Sequence, residues 1–280
     1  MNIEDFEMIA KILKERSGLV LSSDKAYLLE SRLNPVARKY NLDSIDELAA
    51  KARAGDEQLL VDITEAMTTN ESFFFRDQKP FELFQNLVLP YMLDHRGQAK
   101  TLRIWCAACS SGQEPYSLAM LLKEMGPVLD GWTIELLATD ISRSILKKAV
   151  EGSYSQFEVQ RGLPIRLLMK YFTQEDDRWR INEEIRQMVK FAPHNLLDSP
   201  QSLGRMDVVF CRNVLIYFDP ETKTQTLDHV ASVMNEDGFL FLGGAETVLG
   251  ISERFQIVPG QRGIYGLVQG SVGLASETAA

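Results

Sequence analysis

From residue 101 onward, short apolar runs alternate with stretches of helical periodicity, and this pattern limits the fold more than any other feature of the sequence. The apolar runs lie at residues 102–108, 133–140, 206–212 and 238–244, and a helical stretch follows each of the first three. Strands that alternate with helices form a mostly parallel sheet with helices on both faces. Two final runs, 255–258 and 263–268, predict an antiparallel closing hairpin.

The remaining segments predict a two-domain α/β protein. Apolar residues at helical spacing, without strand-like alternation, predict an all-α N-terminal domain over 1–76. Residues 77–98 read as a helical linker in which Pro90 kinks or restarts the helix. The α/β domain then spans 99–268, with a small antiparallel β insert at about 153–193 where two short runs flank an acidic turn. Residues 269–280 are expected to form a disordered tail.

Composition narrows the functional classes. The 280-residue chain carries a net charge of −9, whereas phosphate contacts usually give nucleic-acid binders a basic surplus, so no nucleic-acid partner is expected. No apolar run is long enough for a transmembrane helix, and the N-terminus lacks the apolar core of a signal peptide, so a cytoplasmic protein without membrane insertion is expected. Cys106 and Cys109 form one CxxC with no second pair, which favours buried thiols over a metal site.

The segment WCAACSSGQEPYSLA, residues 105–119, is the strongest local signal for a ligand site. A buried strand ends in small residues, passes Gly112 and opens a helix at Pro115. This arrangement lets the backbone approach a ligand closely at the carboxyl edge of the sheet. Such turns are common, and the full GxGxxG of dinucleotide sites is missing here. Alone, the segment indicates a ligand site without naming the ligand.

Two acidic residues favour a nucleoside with a cationic group. Asp140 ends the second apolar run, where an acid accepts hydrogen bonds from ribose hydroxyls, although it could instead cap the next helix. Glu114 lies in the first turn of the helix after Gly112, where it would repel a pyrophosphate. It suits the sulfonium and ammonium groups of S-adenosylmethionine, but it could also merely complement the helix dipole.

Five segments in order resemble the motifs of the chemotaxis receptor methyltransferases, the CheR type. They are TTNESFFFR (68–76), CAACSSGQEPYSLA (106–119), ATD (138–140), APHNLLD (192–198) and FCRNVLIYF (210–218). The resemblance covers the chain to about residue 268, and the ordered set is far more specific than any one motif. It implies a Rossmann-like methyltransferase domain that methylates glutamates on chemoreceptor cytoplasmic helices and releases S-adenosylhomocysteine, without a metal.

The resemblance also implies residue roles. Residues expected to bind the cofactor are Asn70, Ser72, Arg76, Glu114, Asp140, Asn195, Leu196, Arg212 and Asn213. Ser72 stands where many relatives have threonine, which keeps the hydroxyl. Arg76 and Tyr217 are expected to face the reacting centre as catalytic residues. Taken singly, these residues have ordinary explanations: Asn195 as a turn residue, Tyr217 as a core tyrosine, and Phe73–Phe75 as packing.

The substrate would be an acidic receptor helix bound by a monomer. Lys25, Arg32 and Lys39 recur every seven residues along the predicted second helix, with Arg38 further round, and the family contacts its substrate through a basic helix of this domain. An ordinary solvated face explains them equally well, and Pro35 interrupts the stripe.

In some family members the insert binds a receptor pentapeptide through a longer, glycine-containing turn. The turn here, Gln174–Asp177, is short and acidic, so pentapeptide independence is expected.

Two alternatives to this activity remain open. One is a methyltransferase acting on another substrate, although the [DNS]PP[YFW] motif of DNA amino-methylating enzymes is missing from the sequence. The other is a regulator that binds S-adenosylmethionine without catalysis.

Overall fold

The computed structural model describes residues 3–269, which form two compact units. The first, the helical unit, comprises the described residues up to Thr69 together with Tyr217–Lys223. The second, the sheet unit, comprises Asn70–Ile216 and the described residues from Thr224 onward. Residues 70–76 therefore group with the sheet unit. The predicted tail, apart from Gln269, lies outside the described residues.

The helical unit contains the helices predicted for the N-terminal part of the chain. They are α1 (Ile3–Ser17), α2 (Ala26–Lys39), α3 (Ile45–Arg53) and α4 (Glu57–Met67), with a 3₁₀ turn at Ser23–Lys25. The side chains of Ser44 and Asp56 accept backbone N–H bonds at the starts of α3 and α4, as good N-caps do. Apolar residues of all four helices form one buried core, and α2 continues through Pro35. An all-α N-terminal domain is confirmed.

A short segment from late in the chain completes the helical unit. The backbone N–H of Val20 donates to the carbonyl of Tyr217 at 2.9 Å, and Lys14 forms an ion pair with Asp219 at 2.6 Å. Gly18 has φ +75°, and a Cβ there would lie 2.8 Å from Thr222 Cγ2. Position 18 therefore requires glycine for both its backbone angle and its space.

The sheet unit is built on a seven-stranded sheet with the order β6-β2-β1-β7-β8-β10-β9. Its strands are β1 (Thr101–Ala107), β2 (Thr133–Asp140), β6 (Val189–Pro193), β7 (Met206–Cys211), β8 (Met234–Leu242), β9 (Phe255–Ile257) and β10 (Ile264–Leu267). All pairs from β6 to β8 are parallel, and β10 pairs antiparallel with β8 and β9. The predicted mostly parallel sheet with an antiparallel closing hairpin is confirmed.

Strand β6 was placed inside the insert by the sequence analysis, but it belongs to the main sheet. It pairs in parallel with β2, from Leu136 opposite Val189 to Asp140 opposite Pro193. The strand is short, and only Val189 is fully buried along it. Its sequence therefore lacks the continuous apolar run that marks central parallel strands such as β7, which is buried at every position.

Most helices of the sheet unit lie at predicted positions. They are α5 (Lys79–Leu83), α6 (Leu89–His95), α7 (Gln113–Glu124), α8 (Arg143–Glu151), α9 (Gln156–Gln160), α10 (Ile165–Tyr171), α11 (Glu183–Arg186) and α12 (Pro220–Val233), whose first residues lie in the helical unit. The short helices α9 and α11 within the insert were not predicted. A π-helical turn, Phe84–Val88, joins α5 to α6. This irregular turn immediately precedes Pro90, where the regular helical bond is lost.

The predicted insert contains a separate antiparallel sheet with the order β3-β5-β4, formed by β3 (Ser153–Ser155), β4 (Phe172–Glu175) and β5 (Arg178–Ile181). It is fastened to the main domain through Glu124 at the end of α7. This carboxylate accepts from Lys170 and from Tyr171, each at 2.6 Å, and from Arg166. The three donors lower the pKa of Glu124 to about 2.

Candidate active site at the carboxyl edge of the sheet

The turn between β1 and α7 adopts a conformation that few residues tolerate. Ala108, Ser110 and Gly112 all have positive φ, at 58°, 51° and 90°. A Cβ on Gly112 would lie 3.1 Å from the Cβ of Ala149 and 3.2 Å from the ring of Tyr116. The backbone is thus folded tightly beneath the start of α7, as predicted from the small residues that follow β1.

Asp140, at the end of β2, holds two loops together. Its Oδ2 accepts the backbone N–H of Ser110 at 2.8 Å, and its Oδ1 accepts that of Ser142 at 2.9 Å. The N-cap of α8 is Ser142, whose hydroxyl accepts from Ile145 N–H. The alternative that Asp140 is the N-cap of that helix is therefore wrong. The buried carboxylate instead lies beside the β1–α7 turn.

A buried ion-pair network joins the ends of β1 and β7. Arg212 donates to Glu114 at 2.7 Å through Nη1 and to Asp77 at 2.7 Å through Nη2, which also donates to the carbonyl of Arg76 at 2.8 Å. The Arg212 side chain is 1% exposed and that of Glu114 is 12% exposed. Glu114 is thus the partner of a specific cation as well as an acid near the helix N-terminus.

Glu114 has a perturbed acidity that reflects its surroundings. Burial raises the pKa of this carboxyl above its usual range, and the positive charge of Arg212 offsets part of that effect. Glu246 raises the pKa further, and Arg76 lowers it. The formal charges of Asp77, Glu114, Glu246, Arg76 and Arg212 sum to −1 at neutral pH.

Residues 70–76 lie against this edge of the sheet. The hydroxyl of Ser110 donates to the carbonyl of Asn70 at 2.9 Å. The backbone N–H of Phe75 donates to the hydroxyl of Ser117 at 3.0 Å, and Phe74 packs edge-on to Tyr154 of the insert. Arg76 reaches back to the carbonyl of Glu71 at 3.0 Å. The predicted residues Asn70, Ser72 and Arg76 are thereby carried on one tightly held segment.

The loop after β6 approaches Asp140 from the other side. The backbone N–H of His194 donates to the carbonyl of Asp140 at 3.1 Å, and the His194 ring packs edge-on to Trp105. Asn195 accepts the N–H of Leu197 at 3.1 Å, and Leu196 is buried. The turn role considered for Asn195 is thus present in the structure. Predicted residues from four loops therefore meet at the carboxyl edge of β1, β2, β6 and β7.

The remaining predicted residues belong to the helical unit. Tyr217 is held there through its carbonyl. Arg32 donates to the carbonyls of Met67 and Thr68 at 2.6 and 3.1 Å, at the C-terminus of α4. Lys39 forms an ion pair with Asp62 at 2.5 Å. Two of the four predicted substrate-binding cations, Arg32 and Lys39, thus bond within the unit, although Lys39 remains exposed. Lys25 and Arg38 are also exposed.

Two acidic residues of the site were missed from the sequence. Asp77 bonds Arg212, and Glu246 accepts backbone N–H groups after β7 and β8. Glu246 lies four residues beyond the end of β8, so the strand-end position that identified Asp140 did not single it out. Asp77 gave no such signal, because its partner lies 135 residues away.

Comparison with known proteins identifies the family of the chain. Residues 4–68 match the CheR methyltransferase all-alpha domain, and residues 70–264 match the CheR methyltransferase SAM binding domain. The chain belongs to the CheR methyltransferase family. It is 41% identical over 269 residues to chemotaxis protein methyltransferase 1 of Pseudomonas aeruginosa, covering 93% of this chain and 96% of that protein.

One further relative is similar over nearly its whole length, and one solved structure is similar over a smaller part. Chemotaxis protein methyltransferase Cher2 of Pseudomonas putida is 40% identical over 271 residues, covering 93% of this chain and 96% of that protein. Among solved structures, TrmN from Thermus thermophilus is 12% identical with a TM-score of 0.39, covering 64% of this chain and 48% of that one.

The described residues contain neither a membrane-spanning helix nor a cluster of metal ligands. Within residues 3–269, no helix of this CheR family member is both long and apolar enough to cross a bilayer. Among the same residues, no group of three or more His, Cys, Asp or Glu side chains is arranged to hold a metal ion. Cys106, Cys109 and Cys211 are free and buried, and burial raises the pKa of each thiol.

Proposed function

We propose that this chain transfers the methyl group of S-adenosylmethionine to glutamate side chains on chemoreceptor cytoplasmic helices, forming glutamyl methyl esters. The observation that carries the proposal is the acidic site of Glu114 and Asp140 in a chain that matches both CheR domains. Relatives named chemotaxis protein methyltransferase, at 41% and 40% identity over nearly their whole length, support the substrate class.

The charges and donors of the site fit this cofactor. S-adenosylmethionine carries a sulfonium, an ammonium and a carboxylate, so its net charge is +1. Glu114 and the four charged side chains named with it sum to −1, and Asp140 adds a further negative charge, so the site complements the charge of this cofactor. The buried Arg212 Nε has no hydrogen-bond partner among the described residues, and it offers a donor that a ligand carboxylate can satisfy. Glu114 is then the acceptor for the α-ammonium group, and Asp140 accepts from the ribose hydroxyls.

The other assigned residues surround the remaining parts of the cofactor. Asn195 and Leu196 flank the adenine, and Arg212 and Asn213 lie near the methionine end. Asn70, Ser72 and Arg76 line the pocket from the segment that Ser110 and Ser117 hold in place. This division follows the strand order, because β2 and β6 carry the nucleoside side while β1 and β7 carry the amino-acid side.

The proposed reaction requires little proton transfer by the protein. A glutamate carboxylate with a pKa near 4.3 is already ionised at neutral pH, so the nucleophile needs no general base. The cofactor supplies a methyl group on a positively charged sulfur. This chain lowers the barrier by aligning the two groups, which is worth roughly 7–11 kcal/mol in well-oriented systems, and by excluding water. Arg76 holds the incoming carboxylate by charge-assisted bonds, and Tyr217 donates a hydrogen bond.

The experiment that tests the activity is transfer of a labelled methyl group from S-adenosylmethionine to membranes that contain chemoreceptors. Base-labile label on the receptor is the expected result, because glutamyl methyl esters hydrolyse in base. Cofactor binding without transfer would overturn the substrate assignment and favour a regulator that binds the cofactor. Label on a different acceptor would favour a methyltransferase with another substrate.

We expect Arg76→Ala and Tyr217→Phe each to lower kcat at saturating substrates by about 10- to 1,000-fold, as the loss of a group that acts only in the transition state does. Turnover measured with the labelled-methyl assay checks this. The matched control is Arg161→Ala: Arg161, like Arg76, lies over the Phe73 ring and bonds Glu71, but it has no assigned role in catalysis. Normal turnover of both test variants would remove these two assignments.

The receptor helix is proposed to bind the exposed cations of the helical unit. Charge reversal at Lys25 and Arg38 is expected to raise the receptor KM about 3- to 10-fold, with little change in kcat, because these side chains attract an acidic helix. Lys147→Glu in the sheet unit is the matched control, since it makes the same charge change at an exposed site. Reversal at Arg32 is a poorer test, because it also removes the bonds to the end of α4. An unchanged KM in Lys25→Glu and Arg38→Glu would contradict this surface.

Pentapeptide independence is proposed from the turn between β4 and β5. The turn comprises only Asp176 and Asp177, where Asp176 takes a positive φ of 53°, and it contains no glycine. Calorimetry with a receptor C-terminal pentapeptide should detect no binding at micromolar concentrations, and tight binding would overturn the proposal.

A further inference from the structure

Glu246 forms a clasp between the loops that follow β7 and β8. Its Oε2 accepts the backbone N–H of Asn213 at 2.8 Å and that of Gly243 at 2.6 Å. Its Oε1 accepts the backbone N–H of Val214 at 2.9 Å. Three backbone donors therefore converge on one carboxylate. Charge-assisted bonds of this kind are about twice as strong as neutral ones, so the clasp fixes both loops firmly.

The atoms of the clasp are packed closely around Gly243. A Cβ on Gly243 would lie 2.7 Å from Asn213 Nδ2 and 2.7 Å from Glu246 Oε2. Strands β7 and β8 end side by side, with Cys211 opposite Leu242, so the two loops start from adjacent positions. Asn213 itself takes a positive φ of 58°, a conformation that asparagine tolerates better than most residues but that still needs support.

The loop that the clasp holds carries two residues with proposed cofactor roles, Arg212 and Asn213. Arg212 immediately precedes Asn213, and its guanidinium bridges Glu114 and Asp77. A backbone that turned differently at Asn213 would redirect the Arg212 side chain as well. Glu246 also affects the Arg212–Glu114 pair electrostatically, because its negative charge raises the pKa of Glu114.

We propose that Glu246 is a positioning residue that fixes the loop after β7, so that Arg212 and Asn213 receive the amino-acid end of the cofactor. The inference rests on the cofactor roles proposed above for those two residues. It predicts a selective defect: losing the clasp impairs recognition of the amino-acid part and leaves recognition of the nucleoside part, which Asp140, Asn195 and Leu196 provide.

The test compares two ligands by calorimetry on the full chain. S-adenosylhomocysteine carries the amino-acid part, and methylthioadenosine lacks it. Glu246→Gln keeps the size of the side chain but replaces one acceptor oxygen with an amide that cannot accept a backbone N–H. We expect its Kd for S-adenosylhomocysteine to rise roughly 10- to 100-fold, and its Kd for methylthioadenosine to change less than about 3-fold.

Two further variants make the result decisive. Glu253→Gln, an exposed glutamate on the segment between β8 and β9, makes the same charge change and should leave both Kd values unchanged. Gly243→Ala keeps the carboxylate but pushes on Asn213 and Glu246, so it should show the same selective defect. Circular dichroism and the Tm of each variant establish that the fold is retained.

Each outcome bears on the proposal. Equal weakening of both ligands, unchanged binding in Glu246→Gln, or unfolding of both Glu246→Gln and Gly243→Ala would overturn the positioning role. Failure of the proposed function is seen separately in the wild-type protein. If wild type binds S-adenosylhomocysteine but methylates no receptor, only the proposed substrate is wrong. If wild type binds neither ligand, the proposed cofactor is wrong before any variant is compared.

Discussion

An alanine at position 162 is expected to lower the free energy of unfolding by about 2–5 kcal/mol and to reduce methyl transfer strongly. Gly162 has φ +84°, and a Cβ there would lie 2.1 Å from the carbonyl oxygen of Phe74. The left-handed backbone costs an L-residue about 1–2 kcal/mol, and forcing atoms into a packed site costs about 1–3 kcal/mol more. The overlap is with backbone, so no flexible side chain can move aside.

The functional part of this prediction follows from the position of the overlap. Phe74 lies two residues before Arg76, in the segment that also carries Asn70 and Ser72. Displacing the Phe74 carbonyl therefore also moves Arg76, the residue proposed to hold the substrate carboxylate.

Gly260→Ala is the matched control for Gly162→Ala. Gly260 has a similar φ of +74°, but no atom lies within 4 Å of its added Cβ. Urea denaturation and the labelled-methyl assay measure the two variants side by side. If Gly162→Ala behaved like Gly260→Ala in both assays, the close approach of the insert to residues 70–76 would be irrelevant to stability and activity.

Replacing Arg212 with methionine is expected to destabilise the protein by about 3–5 kcal/mol and to abolish cofactor binding. Methionine keeps much of the volume but removes the only charge that Glu114 pairs with through a direct bond among the described residues. Breaking a buried ion pair is costly, because it leaves the other charge buried and uncompensated. Urea denaturation measures the first effect and calorimetry with S-adenosylhomocysteine the second.

The pH dependence of the Arg212→Met variant has a definite sign. Burial already raises the pKa of Glu114, and loss of Arg212 raises it further. A carboxyl whose folded pKa exceeds its unfolded value favours folding when protonated, so its penalty grows as pH rises through the folded pKa. The stability gap to wild type should therefore be largest at neutral pH and shrink as the pH falls toward the unfolded pKa of about 4.3.

Two further variants isolate the contribution of the buried charge. Adding Glu114→Gln to Arg212→Met should recover part of the stability without restoring cofactor binding. Arg205→Met, an exposed arginine just before β7, is the control for simple loss of a cation. A stability gap that stayed constant from pH 8 to pH 5 would show that Glu114 does not carry the penalty.

Much of the fold could be predicted from the sequence, because its elements are signalled locally. A few neighbouring residues are enough to recognise the buried runs of β1, β2, β7 and β8. The same holds for the N-caps Ser44 and Asp56. The small residues and Gly112 after β1 likewise predicted the tight turn that the structure contains. The edge strand β6 was misplaced because its burial comes from one partner strand and not from an apolar run.

A site residue could be predicted where its position within a single strand or helix is informative by itself. Asp140 stands at a strand end and Glu114 at a helix start, and both positions have general physical meaning. The pairing of Arg212 with Glu114 and Asp77 joins residues 98 and 135 positions apart, which no local pattern reveals. Arg32 is both a surface cation and a donor to the carbonyls at the end of α4. The second role depends on how the helices pack, so the sequence does not reveal it.

The composition of the helical unit has a consequence for building chimeric proteins from relatives. The match to the all-alpha domain ends at residue 68, which suggests a single cut just beyond it. However, Tyr217–Lys223 also belongs to this unit, through Val20, Lys14 and Gly18. A graft that exchanged only the N-terminal segment would set a foreign helix end against a resident Asp219 and Thr222. Exchanging the helical unit of this chain therefore requires two coordinated transplants, the N-terminal helices and the heptapeptide Tyr217–Lys223.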